Sequence, residues 1–209
     1  MPDLITLDDP TIDAQLTAYY DNIDDLTAQA LAGLLREDVF RSEMRRITEA
    51  ALVLVFLLAG GDRATTGAEQ AIAKRIRATR NSVEQLASDI YDGRYSVRGK
   101  KQVAAGRPEQ TAGEGRDKLR NRLALWVFTL AGMDAVGKVH SPPAVMRGEL
   151  TEQEFQWLLG LTEKHCSTCL EMDGQTKQTS AWRALAAIGV EPQGAGLECG
   201  GWKCDCKLR

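Results

Sequence analysis

The residues richest in chemistry are five cysteines, Cys166, Cys169, Cys199, Cys204 and Cys206, and none occurs earlier in the chain. Cys166 and Cys169 stand two residues apart, a spacing at which one tight turn aims both sulfurs at a single ion. Cys199, Cys204 and Cys206 form a second group about 30 residues later, and two of them complete a tetrahedral shell of thiolates. Cys199 with Cys204 is the favoured pairing. Cys206 stays open as an alternative, because Cys204 and Cys206 share one face if that segment is extended. Gly200 and Gly201 let the backbone wrap closely around a metal. His165 adjoins Cys166 and is read as a bystander. The expected cofactor is a structural zinc ion, since a segment of about 55 residues with few apolar side chains needs a staple.

Catalytic uses of the same residues fit less well. A zinc deaminase needs an H-x-E element ahead of P-C-x-x-C, and neither occurs. A hydrolytic zinc site keeps one position open, whereas thiols here fill the shell. Thioredoxin-like chemistry requires a βαβ setting for its C-x-x-C, which the flanking pattern lacks. A cysteine protease would use His140 or His165 as base, with no supporting signature. There is no phosphate loop and no dinucleotide fingerprint. A non-enzymatic chain without a small-molecule substrate is expected.

The elements that must carry this tail are helical. The 209 residues are 44% hydrophobic and 26% charged, ordinary for a globular chain with a useful core. Apolar residues recur at helical intervals over 12–35 (Leu16, Ile23, Leu26, Leu31, Leu34), with Thr11 as a cap and Asp21, Asp24 and Asp25 on a solvated face. A second helix fits 39–59. Its second half is apolar all round and predicts neighbours on every side. A third fits 66–91, with Ile72, Ile76, Val83, Leu86 and Ile90 inside and Lys74, Arg75, Arg77 and Arg80 outside. Residues 93–115 hold five glycines and read as an exposed loop. A fourth helix follows over 116–139, ended by Ser141-Pro142-Pro143. Beyond it, 154–159 suits a strand, Asp173-Gly174 a hairpin-like turn, and 180–187 a short helix capped by Ser180 with Trp182 inward. The expected fold is therefore mainly α: a bundle of about four helices over 1–147 and a small α+β, zinc-ribbon-like module over 148–209.

Charge and hydropathy narrow the setting. The apolar run 50–59 is too short to span a bilayer, so no membrane is expected, and no basic leader precedes an apolar stretch. In a reducing cytosol five thiols favour metal over disulfides. The net charge of −3 conceals −8 over 1–73, +7 over 74–122 and −2 over the remainder. The basic middle segment suits either internal charge matching or a polyanion. The alternative function is accordingly a nucleic-acid-binding zinc-ribbon protein with a regulatory role, although no aromatic residues interleave with the bases of the third helix.

The tail as a whole, Cys166-x2-Cys169-x3-Asp173-Gly174-Gln175, then Trp182, Pro192 and Leu197 through Leu208, resembles the C-terminal part of tailed-phage minor head proteins of the Mu F-like head-morphogenesis family. The order before it is also similar, with helices, Ile90-Tyr-Asp-Gly-Arg94, another helix and a short strand. This chain departs from the family pattern at Gly201, where a histidine is usual, and Cys199 would take over that coordination. The resemblance implies a virion component of the head or portal region, made in the host cytoplasm and assembled with phage portal and capsid proteins. It also allows contact with packaged DNA through residues 74–122.

Overall fold

In the computed structural model, residues 10–141, 152–160, 165–194, 196–200 and 205–209 are described. Four long helices form the bundle: α1 Pro10–Leu31, α2 Glu37–Leu58, α3 Ala68–Tyr91 and α5 Ala112–Val139, with the short α4 Lys100–Ala104 between the last two. After α5 come β1 Glu154–Leu158, α6 Ser167–Met172, β2 Thr176–Gln178, α7 Thr179–Ala187 and β3 Lys207–Leu208. The chain is thus mainly α with a small C-terminal α+β module, as its periodicity predicts. The expected boundary at 147/148 falls outside the described residues.

Helix α1 begins at Pro10, whose fixed φ and missing N–H suit a first helical position, so Thr11 lies inside the helix instead of capping it. It ends earlier than 35 because Gly33 turns left-handed (φ +71°) and lets the Leu34 N–H bond back to the Gln29 carbonyl. Leu34 is consequently 74% exposed and plays no part in the core. Helix α2 sits between α1, α3 and α5 and buries Phe40, Met44, Leu52, Val55 and Phe56. Three neighbours do not enclose a cylinder: Leu54 and Leu57 remain exposed on the open edge, contrary to coverage on every side.

The segment 93–115 is more ordered than its glycines suggest. Arg98 and Gln110 form an antiparallel bridge, and the buried Gln110 amide donates to the carbonyls of Arg94 and Ser96 at 3.2 and 3.1 Å. Helix α5 starts at Ala112, four residues before the expected 116. Thr111 and Glu114 form a reciprocal capping box that satisfies the first free N–H groups. The buried Asp89 carboxylate joins these parts by accepting from Arg122 and from Gln85, with Arg94 3.2 Å away.

The module is built on β1, which pairs antiparallel with β2 on one side and β3 on the other. Asp173-Gly174 does not close a hairpin. It carries the chain from α6 into β2, because α6 is inserted between the two paired strands. Helix α7 begins at Thr179 with no side-chain cap at Gln178; Ser180 lies in its first turn and donates to Glu152 at 2.6 Å. Trp157 and Trp182 stack at 5.9 Å and, with Leu197, Cys206 and Leu208, pack against Ala135 and Val139 of α5. The module therefore rests on the end of the bundle. Polar links fix the contact: Lys138 to the Leu208 carbonyl (2.8 Å), Arg183 to the carbonyls of Val139 and Ser141 (both 3.2 Å), and Arg75 to Glu191 (3.6 Å).

Candidate metal centre

Helix α6 presents the first cysteine pair. Cys166 is its N-cap residue in extended conformation, and Cys169 follows within the first turn, so a three-residue offset places both on one side. The Cys166 carbonyl accepts from the Leu170 N–H at 3.1 Å, which holds that turn closed. A helix N-terminus, not a β-knuckle, presents these sulfurs. Its N–H groups favour thiolate over thiol.

Cys199 arrives on the turn 197–200, in which the Gly200 N–H bonds to the Leu197 carbonyl at 2.8 Å and Gly200 takes φ +62°. The sulfurs of Cys166, Cys169 and Cys199 all lie within 4.8 Å of one another. Ligands around a tetrahedral zinc, with bonds of about 2.3 Å, stand about 3.8 Å apart, so a contraction of roughly 1 Å at most would close three of them on one ion. Cys169 is buried, while Cys166 and Cys199 are half-buried. Burial pushes the Cys166 thiol up, but hydrogen bonds from the backbones and thiols of Cys169 and Cys199 together bring it below the usual thiol range. The donor set fits a thiophilic cation.

Of the other expected site residues, Cys206 is 2% exposed among Trp157, Leu197 and Leu208 and does not belong to the three-sulfur group. Cys204, like Gly201, lies outside the described residues. His165 is half-buried beside Cys166 and does not join the group.

One contributor escapes sequence reasoning. The Glu198 carboxylate accepts from both the N–H (3.0 Å) and the hydroxyl of Ser167, which pulls it below the usual carboxylate range. It thereby pins the turn that carries Cys199 to the helix start that carries Cys166. A lone glutamate beside a cysteine reads as solvated charge. Only its position against α6 gives it this role.

The basic segment is internally matched in part, at its arginines that face other helices or the module. Arg80 pairs with Glu49, Arg120 with Asp24 and Arg122 with Asp89, while Arg75 reaches Glu191. No described helix is long and apolar enough to cross a membrane. Compared with known proteins, the chain matches no family model, no curated sequence and no solved structure.

Proposed function

We propose that Cys166, Cys169 and Cys199, joined by Cys204, hold a structural zinc ion, and that the chain is a non-enzymatic virion protein, a minor head component that assembles with phage portal and capsid proteins. The observation that carries the zinc reading is the convergence of three sulfurs from two separate segments on one point. A fourth thiolate closes the shell and leaves no position for water or substrate, which favours a structural over a catalytic ion. Such an ion supplies a cross-link between α6 and the turn 197–200, which Glu198 already holds in register. The virion reading is supported by the tail pattern from Cys166 to Leu208, and a metal-stapled module packed on a helical bundle suits an assembly part.

The nucleic-acid reading is less favoured. Arg75, Arg80, Arg120 and Arg122 each face a carboxylate, and Trp126 is buried, so these four cations are partly neutralised and Trp126 offers no stacking platform. The test is mass spectrometry of purified phage heads and connector complexes from the host that encodes the chain. The protein is expected in them at stoichiometric or fixed substoichiometric copy. Its absence from heads, proheads and connectors would refute the assignment.

A further inference from the structure

The turn that carries Cys199 is fastened to the start of α6 by bonds that use no sulfur. The Glu198 carboxylate accepts from the Ser167 N–H at 3.0 Å and from the Ser167 hydroxyl, and the Glu198 N–H donates to the Thr168 hydroxyl at 3.4 Å. Ser167 follows Cys166 and Glu198 precedes Cys199, so this clamp lies immediately beside both cysteines. It sets the two thiols against each other whether or not an ion joins them. The Cys166 sulfur takes hydrogen bonds from the backbone and thiol of Cys199 as well as from those of Cys169. All three sulfurs lie within 4.8 Å of one another, a gap that a change of staggered rotamer at one cysteine brings within reach of a disulfide.

Access distinguishes the three thiols. Cys169 is 1% exposed and packs with Trp157, Met172 and Trp182, whereas Cys166 and Cys199 are half-buried at the edge of that cluster. Thiol–disulfide exchange needs one sulfur that an oxidant reaches and a second that resolves the mixed disulfide. Cys166 and Cys199 meet both conditions. The alternative pairings also differ in what they hold. Cys166 bonded to Cys169 ties one turn of α6 to itself and leaves the turn 197–200 to the clamp. Cys166 bonded to Cys199 closes a loop of about 30 residues and joins the same two segments that the proposed metal joins.

We propose that Cys166 and Cys199 are a redox pair: a small-molecule disulfide of the glutathione type oxidises them to a reversible disulfide that displaces the metal and takes over its cross-link. The Cys166 sulfur attacks one sulfur of glutathione disulfide, which forms a mixed disulfide and releases one glutathione. The Cys199 sulfur then attacks that of Cys166 and releases the second glutathione. The two protein sulfurs lose two electrons in all, and the oxidant gains them. The glutathione sulfurs take up the protons of the protein thiols, or protons from solvent where a metal held the thiolates. Two ligands are thereby withdrawn from a four-thiolate shell, and the ion leaves. The module keeps a staple in surroundings where thiols do not stay reduced. For the displaced ion this inference rests on the proposed metal site, and for the pairing it rests on the clamp and on access.

The test treats the full chain, its zinc content first measured, with oxidised glutathione and maps disulfides by mass spectrometry of an unreduced digest. Released zinc is read with a chromogenic chelator. Peptides linked through Cys166 and Cys199 are expected, with loss of one zinc per chain, both reversed by dithiothreitol and added zinc. The near-ultraviolet signal of the Trp157–Trp182 pair is expected to persist in the oxidised chain and to become insensitive to chelator. Glu198→Ala is expected to shift the products from the Cys166–Cys199 bond toward the Cys166–Cys169 bond. A zinc-loaded chain that gives another pairing, or that keeps its metal and its thiols, overturns the inference and leaves the metal reading intact. An unchanged product ratio in Glu198→Ala also overturns it, since the pairing would then not come from the clamp. A chain that holds no zinc yet forms the Cys166–Cys199 bond upholds the pairing and contradicts the metal reading instead.

Discussion

At the scale of single residues, two groups outside the cysteines carry testable consequences. Glu198 fixes Ser167, and through it the approach of Cys199 to Cys166. Outer-shell partners of this kind are worth roughly 10–100-fold in metal affinity. Glu198→Ala is therefore expected to weaken binding by about tenfold in a chelator competition assay while leaving one metal per chain at saturation. His140 concerns pH. It is 5% exposed with its Nδ1 unpartnered. Burial, reinforced by Arg183, holds its imidazole below the ordinary histidine range, against a weaker opposing hydrogen bond to the Thr66 backbone. The native state thus takes up this proton less readily than the unfolded chain. Above about pH 6.5 neither state is protonated and His140 contributes nothing. As pH falls below that, the unfolded chain charges first and stability drops until the native histidine also titrates. His140→Gln should flatten the decline, measured as the difference in urea midpoint between the two proteins from pH 7 downward. The cysteine group was legible from spacing alone, since thiols two apart and again a short way on have few other uses. Glu198 and His140 were not, because their roles come from burial and from contacts between distant segments.

At the scale of elements, the bundle follows from periodicity, and the misread positions share one cause. Glycine marks both flexible chain and close approach, and composition does not distinguish them. Residues 93–115 looked like loop by glycine count, yet the Thr111-x-x-Glu114 box that starts α5 was present in the sequence. Gly115 allows α5 to approach the Tyr95 carbonyl, where a Cβ would stand 2.0 Å away. Gly137 does the same at the crossing of α2 and α5, where a Cβ would lie 2.5 Å from the Phe56 carbonyl and 2.6 Å from the Ala59 methyl. Both obstructions are backbone or rigid, so relief requires the helices to part. Gly137→Ala is expected to cost about 1–3 kcal/mol by overpacking, which outweighs the roughly 1 kcal/mol that alanine gains over glycine within a helix because the obstruction is backbone. The denaturant midpoint should fall. A rise would mean that α2 and α5 do not cross this closely.

At the scale of the whole molecule, two apolar clusters meet at the end of α5. One lies within the helices and the other around Trp157 and Trp182. The bundle has an extensive core of its own, whereas the module depends on short strands and on whatever joins α6 to the turn 197–200. Removing the metal should therefore act on the module first. The near-ultraviolet signal of the Trp157–Trp182 pair is expected to collapse while the helical signal of α1, α2, α3 and α5 largely persists. The central claim is that the clustered thiols form a closed structural metal site, and the most direct measurement is cobalt substitution with metal analysis of the intact chain. The account predicts one zinc per chain as purified. Cobalt should give the intense thiolate charge-transfer and visible bands of a tetrahedral all-sulfur site, and both should vanish in Cys199→Ser. A chain purified under reducing conditions that holds no stoichiometric metal, or whose cobalt spectrum survives the loss of Cys199, would contradict it.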